Sequence, residues 1–422
     1  MRVLVTGASG FIGSAVVASL REAGDRVIAL GRNGAPDAEH VSADVTQLDE
    51  TTWLDLLEGV DAVVNCAGIF ADTATASVDE VNRRAAETLF RACLAAGVRR
   101  VVQLSAIGAG DGLSPFARSK LAADRVLTGL DLDWVILRPA IVFGEDAGGG
   151  SALLRGLAAL PIIPIDPSAG DLQIVQLGDV VKTVVHMTRP EAPARVVLEL
   201  VSPERLSFAE TLRVIRSWLR LSPAREIRMP SPLMSLGYAL GDLAGWLGWK
   251  TPIRLAARAE LRRGAVGDAR GWIEATGLRP LRLREALAAK PSTAQERTFA
   301  SLYFLQPLVL AVTSLFFIGT GITSVTIGYR IGVSLLEQGG MGPLSGPSVI
   351  AGGLADLIAG AMIAWRPTAR WGLYLAIALS LFYFMFGTVL LPGLWRDPIG
   401  PMLKIFPLIV LNCVALAMVR DR

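Results

Sequence analysis

The sequence contains few of the residues that build metal centres and disulfide frameworks. Three cysteines and two histidines occur among its 422 residues. The cysteines lack CxxC spacing and have no histidine close by in the chain, which excludes a structural zinc site and a disulfide framework. We therefore expect no metal site. The net charge of +3 is also too small to indicate nucleic-acid binding.

Charged residues are scarce in the last third of the chain. Of the Lys, Arg, Asp and Glu side chains, 68 precede Phe299 and 11 follow Thr298. The whole chain is 52% apolar and has a mean hydropathy of +0.47. These values exclude a wholly soluble protein, whose surface must be mostly polar, and a disordered one.

The first half of the chain alternates short apolar runs with segments of helical length. The runs are residues 3–5, 27–30, 62–64, 101–104 and 134–137, and the helical segments are 11–23, 46–57, 77–95 and 115–127. Uniformly apolar runs between helices are typical of a parallel sheet covered on both faces. We therefore predict an α/β domain with a doubly wound parallel sheet (Rossmann). Residues 161–171 contain three prolines and are expected to form a loop.

The N-terminus lacks the pattern of a secretory signal. Met1 leads directly into the first predicted strand, without a basic region, an apolar region and a cleavage site. The N-terminal domain is therefore expected in the cytoplasm.

A glycine-rich turn joins the first predicted strand to the first helix, where residues 6–13 read TGASGFIG. Gly7 and Gly10 allow a tight turn and close approach of a pyrophosphate to the helix N-terminus, and Gly13 allows the helix to pack close to the strand. An ordinary glycine-rich turn is the alternative interpretation. The position between a strand and a helix favours dinucleotide binding.

The end of the second strand indicates which dinucleotide is bound. NAD sites usually place a carboxylate there for the ribose hydroxyl, but this strand ends in Gly31 and Arg32, followed by Asn33. An arginine can bind a 2′-phosphate through two hydrogen bonds. We predict NADP(H), with NAD(H) as the alternative and a solvated Arg32 as the non-functional interpretation.

Several motifs in this order resemble the short-chain dehydrogenase/reductase superfamily, and in particular its extended branch, which includes the NAD-dependent epimerases and dehydratases. Besides residues 6–13 they are DV at 44–45, NCAG at 65–68 and RPAIVFG at 138–144. The resemblance covers roughly residues 1–220 and implies an NAD(P)-dependent oxidoreductase or epimerase, with Asp44 near the adenine. The cofactor-binding residues predicted in all are Gly7, Ser9, Gly10, Phe11, Ile12, Gly13, Arg32, Asp44, Val45, Cys66, Ala67, Gly68, Ser105, Lys120 and Pro139.

The sequence departs from this family at the catalytic tyrosine. The family's Tyr-x-x-x-Lys motif corresponds to residues 116–120, where Phe116 replaces the tyrosine and Lys120 is kept. A phenyl ring has no hydroxyl with which to exchange a proton. Ser105 matches the family's serine; it either binds substrate or cofactor, or caps the end of its strand. This pattern is similar to atypical members such as the NADPH-binding accessory subunit of respiratory complex I.

Four apolar segments follow in the last part of the chain. Residues 299–329 form an uncharged run of 31, residues 349–365 carry one charge, and residues 371–395 and 405–419 carry none. Such segments predict transmembrane helices. We therefore expect a nucleotide domain with a small substrate lobe at 1–225, a helical or membrane-apposed linker at 226–298, and four transmembrane helices at 299–422.

The placement of basic residues predicts the orientation. Lys and Arg concentrate before the first span, between the second and third (Arg366 and Arg370) and in the tail (Arg420 and Arg422). The opposite side has Arg330 and Arg396, with Lys404 at the start of the last span. By the positive-inside rule both termini are cytoplasmic. The protein is then a multi-pass protein of the plasma (inner) membrane.

Residues 230–248 allow two interpretations. The segment carries a single acidic residue and four glycines. It either lies flat on the membrane with tryptophan at the headgroup level, or packs as a helix against the nucleotide domain.

Two further motifs resemble the four-helix DoxX-like domain. They are GLADLIAG at 353–360 and WRDPIGPMLK at 395–404. Asp356 lies inside the second span, where a charge is costly, so it is expected to face the bundle interior beside a partner such as Lys404 or Asn412. It marks either a quinone, lipid or proton site or a structural ion pair.

Taken together, these features predict a membrane-anchored NADP(H)-binding oxidoreductase-like or epimerase-like protein that acts at the cytoplasmic face on a lipid- or quinone-like molecule. Ser105 and Lys120 favour this interpretation. Phe116 favours the alternative, a non-catalytic NADP(H)-binding module of a membrane assembly.

Overall fold

The computed structural model describes residues 1–32, 39–73, 76–145, 148–249 and 251–419. Asn33, which follows the second strand, and Arg420 and Arg422, which contribute to the predicted orientation, lie outside these residues. The described residues form two compact units. The N-terminal unit comprises Met1–Trp246 and Lys250–Ser301, and the C-terminal unit comprises Leu247–Trp249 and Leu302–Arg422.

The N-terminal unit is built on parallel strands that alternate with helices. The strands are β1 (Arg2–Thr6), β2 (Arg26–Gly31), β3 (Glu39–Ser42), β4 (Ala62–Asn65), β5 (Arg100–Leu104), β6 (Asp133–Pro139), β7 (Val142–Phe143), β8 (Ile162–Ile165), β9 (Val175–Gln176), β10 (Val196–Leu200) and β11 (Arg225–Arg228). The helices up to Leu302 are α1 (Phe11–Glu22), α2 (Glu50–Leu57), α3 (Ala85–Ala95), α4 (Pro115–Thr128), α5 (Gly149–Ala159), α6 (Leu177–Met187), α7 (Phe208–Trp218), α8 (Ser231–Trp246), α9 (Leu255–Arg263), α10 (Arg270–Thr276), α11 (Leu283–Ala289) and α12 (Ala294–Leu302).

Seven strands form one parallel sheet in the order β10-β6-β5-β4-β1-β2-β3. Val3 and Val5 belong to the apolar cluster on one face, and Leu4 belongs to the cluster on the other. Both faces are covered, which explains why the strands read as uniformly apolar runs. The sheet and the helical C-terminal region confirm the predicted fold class.

The strand order reverses between β1 and β4, which are neighbours in the sheet although β2 and β3 lie between them in the chain. Ligands of open α/β sheets bind at such a switch point, outside the carboxyl ends of the strands. The glycine-rich turn after β1 and the segment after β4 meet at this edge.

A smaller lobe packs beside the sheet around a third apolar cluster that includes Phe143, Leu154 and Leu212. The expectation of a loop at 161–171 is wrong for its first part, because Ile162–Ile165 form β8 and pair in parallel with β11. Pro164 is tolerated because β8 and β11 form a two-stranded sheet, in which both strands are edges. The partner strand lies about 60 residues away in the chain, so local composition did not reveal it.

The C-terminal unit is helical. Its helices are α13 (Leu305–Val325), α14 (Tyr329–Gln338), α15 (Ser345–Ala364), α16 (Ala369–Leu390) and α17 (Ile405–Val419). Among the described residues, three helical segments are long and apolar enough to cross a membrane: Ala294–Val325, Gly342–Ala364 and Ala369–Leu390. Ile405–Val419, the fourth predicted span, is a shorter apolar helix of 15 residues. The uncharged run at 299–329 is divided between α12 and α13, which the sequence did not indicate.

Small residues allow α13 and α15 to pack closely. A Cβ added at Gly360 would lie 2.8 Å from the carbonyl oxygen of Ser314. The Ser314 hydroxyl donates in turn to the carbonyl of Gly360 at 2.8 Å. Close backbone approach with side-chain-to-backbone hydrogen bonds is typical of helix pairs in membranes.

Candidate dinucleotide site

The turn after β1 has the geometry that the glycine pattern predicts. Gly7 has φ of +63°, a left-handed conformation that favours glycine. A Cβ at Gly13 would lie 2.2 Å from the carbonyl oxygen of Gly7. These two glycines therefore let α1 begin directly behind β1.

The N-terminus of α1 is left open toward the switch point. Gly10 is the N-cap of α1 and has an extended backbone. It has no side chain that could accept hydrogen bonds from the first backbone N–H groups of the helix. The first N–H groups of a helix have no partner within it, and they favour an anion. Ser9 is exposed, and Phe11 and Ile12 are half-buried in the first turn of α1.

The segment after β4 forms the opposite wall of the turn. A Cβ at Gly7 would approach the backbone of Cys66 and Ala67 to 2.8 Å. Burial raises the pKa of the Cys66 thiol to about 12, which disfavours its thiolate form. The two loops are thus held in backbone contact.

A chain of buried side chains fixes this contact from below. The Thr6 hydroxyl donates to the Asn65 side-chain oxygen at 2.5 Å, and the Asn65 amide donates to Gln103 at 2.7 Å. The backbone N–H of Ala67 donates to the same Asn65 oxygen at 3.3 Å. Residues at the ends of β1, β4 and β5 are therefore tied together beneath the candidate site.

Arg32 and Asp44 lie at the end of the sheet beyond β2. Arg32 is exposed, and the glycine before it, Gly31, lies close to Ser9, since a Cβ at Gly31 would be 3.1 Å from the Ser9 hydroxyl. Hydrogen bonds from Thr46 to Asp44 and the charge of Arg32 hold the pKa of the Asp44 carboxyl below its usual value. Arg32 is thus exposed at the end of β2, with the Asp44 carboxylate nearby. Val45 packs against the apolar cluster under β2.

Ser105 is part of a buried hydrogen-bond network. Its hydroxyl donates to the carboxylate of Asp124 on α4 at 2.9 Å, and Arg138 on β6 forms an ion pair with the same carboxylate oxygen at 2.9 Å. Burial raises the pKa of the Asp124 carboxyl. Arg138 belongs to the motif at 138–144, but the sequence indicated neither its pairing nor a role for Asp124.

Lys120 is buried beneath the loops that follow β4 and β5. Its ammonium donates to the carbonyl of Leu104 at 2.9 Å and to that of Ala67 at 3.4 Å. A Cβ at Gly68 would lie 2.9 Å from the Lys120 nitrogen. Burial lowers the pKa of Lys120 to about 8, a value at which an ammonium readily exchanges its proton near neutral pH.

Phe116 lies one turn before Lys120 on α4 and forms an apolar wall with Phe70. The centroids of their rings are 5.0 Å apart. Pro139 is buried in β6, where its carbonyl accepts the backbone N–H of Ile107 at 3.0 Å. The site is thus bordered by aromatic side chains where the family resemblance implies a tyrosine hydroxyl.

Asn82 is a site residue that the sequence analysis missed. It lies in a π-helical turn, Glu80–Arg84, which precedes α3. Its side chain is buried, exchanges two hydrogen bonds with the backbone of Ile69 at 2.9 Å and donates to Ser119 at 3.0 Å. The signal is structural, because π-turns occur frequently at functional sites but have no simple sequence pattern.

The residues present fit a dinucleotide. Three features meet along one edge of the sheet. They are an open helix N-terminus, glycines at positions where any side chain would fill the turn, and a buried lysine beside Gly68. Gly7, Gly10 and the α1 amides would hold the pyrophosphate of such a dinucleotide.

Asp356 is the other buried polar site that the sequence singled out. It faces the interior of the C-terminal unit, but the expected partners Lys404 and Asn412 are wrong. Its carboxylate accepts hydrogen bonds from Tyr383 on α16 at 3.0 Å and from Thr320 on α13 at 3.3 Å. Which residues face Asp356 depends on how each helix is rotated about its own axis. The position of a residue along the sequence does not give that rotation.

Comparisons with known proteins agree with both parts of the chain. Residues 7–158 match the profile of an NAD(P)H-binding family, and residues 314–413 match the DoxX-like family. Ceramide reductase from Caulobacter vibrioides is 26% identical over 245 residues, which cover 57% of this chain and 77% of the relative. 2-Alkyl-3-oxoalkanoate reductase from Stenotrophomonas maltophilia is 31% identical over 172 residues, which cover 34% of this chain and 52% of the relative.

Solved structures share the fold of the N-terminal unit. MoeE5 in complex with UDP-glucuronic acid and NAD gives a TM-score of 0.55 at 24% identity and covers 68% of this chain and 97% of its own. UDP-N-acetylglucosamine 4-epimerase from Bacillus cereus gives 0.51 at 17% identity and covers 72% and 96%. The chain therefore combines a Rossmann domain that matches the NAD(P)H-binding family, and that shares its fold with a UDP-sugar epimerase, with a C-terminal domain that matches the DoxX-like family.

Proposed function

We propose that this protein is a membrane-anchored, NADP(H)-dependent reductase that acts at the cytoplasmic membrane face on a lipid-like carbonyl compound. The observation that carries the proposal is the position of the Lys120 ammonium. It lies beneath the predicted dinucleotide site and one helical turn from the aromatic wall of Phe70 and Phe116. A proton-exchanging group and an apolar surface thus occur together in a chain that has membrane-length helices.

The relatives support a substrate with a hydrocarbon chain. The two reductases described above are named for ceramide and for a 2-alkyl-3-oxoalkanoate, and both compounds carry such chains. The aromatic wall presents no hydrogen-bonding group to a substrate and suits an alkyl chain better than a sugar. A quinone-like compound remains the other substrate class that this wall accommodates.

Reduction of a carbonyl group needs a hydride and a proton. NADPH, when bound, supplies a hydride to the carbonyl carbon. The carbonyl oxygen then needs a proton, and the phenyl ring of Phe116 has no hydroxyl that could donate one. We assign the proton to Lys120, acting through a water molecule, because burial brings its pKa to about 8. The carbonyl becomes an alcohol, and Lys120 recovers its proton from solvent.

A non-catalytic NADP(H)-binding module is the second candidate, and two observations favour it. The Phe116 ring replaces a hydroxyl, and the Ser105 hydroxyl is already bonded to Asp124. Such a module would bind NADPH without consuming it.

NADPH oxidation by the full-length protein in native membranes distinguishes the two candidates. Membranes are supplied separately with a lipid extract and with a quinone extract. We expect turnover with the lipid extract that is lost in Lys120→Ala at saturating NADPH and kept in Lys182→Ala, a control at an exposed position of α6. Tight NADPH binding without turnover in either extract would establish the binding module, and turnover with quinones alone would change the substrate class.

A further inference from the structure

Helix α8 presents an uncharged leucine face to the outside of the N-terminal unit. Leu233, Leu236, Leu240 and Leu243 recur at spacings of three and four, and each is more than half exposed. Residues at this spacing share one side of a helix. We call these four side chains the leucine face. Trp246, at the end of α8, is 70% exposed.

The opposite side of α8 is packed, so the orientation of the helix is fixed. Tyr238, Gly241 and Gly245 are the buried residues of α8. A Cβ at Gly241 would lie 1.6 Å from the carbonyl oxygen of Ile253, and a Cβ at Gly245 would meet the side chain of Arg254. The helix therefore cannot roll to bury its leucines without losing this backbone contact.

The chain connects α8 directly to the unit that holds the membrane-length helices. Leu247 and Trp249 follow α8 immediately and belong to the C-terminal unit. The carbonyl of Leu247 accepts the backbone N–H of Arg366 at 3.0 Å, and the indole of Trp249 donates to the carbonyl of Ala364 at 2.7 Å. Ala364 is the last residue of α15, so Leu247 and Trp249, which follow α8 in the chain, are held at the end of a membrane-length helix.

We propose that the leucine face of α8 docks on the surface of the lipid bilayer, as an interfacial helix additional to the transmembrane helices. Its exposed apolar side chains, its single charged residue Asp242 and its exposed terminal tryptophan suit the boundary between headgroups and acyl chains. Exposed Arg228, three residues before the helix, suits anionic headgroups. The two interpretations of residues 230–248 are then both correct, each for one face of the helix.

Docking of this face gives the candidate site a defined relation to the bilayer. Arg254, which packs against Gly245 of α8, also donates a hydrogen bond to the carbonyl of Asp72. Asp72 lies two residues after Phe70, which forms the aromatic wall together with Phe116. This consequence rests on the proposed function, whereas the docking itself does not depend on catalysis.

Depth-dependent fluorescence quenching tests the docking in the full-length protein. Leu240→Cys is made in a Cys413→Ser background and labelled with an NBD fluorophore. Cys66 and Cys93 are not expected to react, because burial raises the pKa of each thiol to about 12. The protein is reconstituted into phosphatidylcholine/phosphatidylglycerol vesicles, with or without lipids brominated on their acyl chains. Leu94→Cys, exposed on α3 of the same unit, is the matched control.

We expect the brominated lipids to remove most of the NBD fluorescence at position 240 and almost none at position 94. Adding Leu236→Glu to Leu240→Cys should restore most of that fluorescence. Equal, weak quenching at both positions would overturn the proposal. Disulfide-linked dimers through unlabelled Leu240→Cys, without quenching of the labelled protein, would overturn it in favour of a second copy. Neither readout requires NADPH turnover, so failure of the docking is distinguishable from failure of the proposed reductase.

Discussion

Ser105 and Asp124 form a hydrogen bond of 2.9 Å inside the N-terminal unit, and Arg138 completes the network through an ion pair with the same carboxylate oxygen. The serine that matches the family's serine thus has a structural partner. Removal of this hydroxyl is therefore expected to affect both the position of α4 and any chemistry at the site.

Asp124→Ala should destabilise the N-terminal unit by about 3 kcal/mol, because it leaves the partly buried Arg138 without its partner. Asp131→Ala removes an exposed ion pair with Arg195 and should cost less than about 1 kcal/mol. Thermal unfolding followed by tryptophan fluorescence compares the two variants. Equal losses would show that the Asp124 network contributes no more than a surface pair.

Arg32→Asp should reverse the dinucleotide preference. The unmutated protein is expected to bind NADPH more tightly than NADH, since charge-assisted hydrogen bonds of Arg32 to the 2′-phosphate contribute about 2 kcal/mol, or roughly thirtyfold in affinity. In the variant, a carboxylate repels that phosphate and accepts a bond from a ribose hydroxyl. Isothermal calorimetry on the purified protein measures both affinities. Tighter NADH binding by the unmutated protein would contradict the assignment.

Phe116→Tyr should change turnover by less than about tenfold, because the proposed proton route through Lys120 already operates. NADPH affinity should stay nearly the same, since the ring packs against Phe70 on the side assigned to the substrate. Phe70→Tyr is the matched control. Lys120→Ala, in contrast, should weaken NADPH binding whether or not the protein is an enzyme. A rise of several orders of magnitude in the turnover of Phe116→Tyr would show that the unmutated protein lacks an effective proton donor.

Turnover should fall as pH rises through about 8, because burial lowers the pKa of Lys120 to about 8. Below this pH the ammonium form is present and can donate its proton. Above it the neutral amine predominates, and the rate should fall about tenfold for each further pH unit. Steady-state NADPH oxidation at saturating substrate between pH 6.5 and 9.5 measures the profile, with NADPH binding followed over the same range. A flat profile would remove Lys120 as the proton donor.

A reporter enzyme that is active only in the cytoplasm should be active when it is fused after Arg422. A reporter near Gly339 should report the opposite side of the membrane, because α13 precedes this position and only one span then separates it from the N-terminal unit. The bias in Lys and Arg placement is the physical reason. Labelling of a cysteine at position 339 by a membrane-impermeant reagent from the cytoplasmic side would contradict the four-span topology.

Much of the fold and of the dinucleotide turn follows from local sequence. The largely apolar β1, β4 and β5 predict a sheet buried on both faces, and the glycines at 7, 10 and 13 predict a turn that only small residues can form. These features depend on neighbours within a few residues, so a single sequence contains them. The apolar length of α13, α15 and α16 likewise sets which helices can span a membrane.

Pairings between distant residues were decided only by the tertiary structure. The sequence could not show that Asp124 binds Ser105, that Asn82 holds the loop at Ile69, or that Asp356 bonds Tyr383. Each of these bonds depends on how two elements are rotated and aligned when they pack. The same holds for α8, whose glycines turn one face inward and leave its leucines outside. Composition determined that the segment is an apolar helix, and packing determined which of its residues face outward.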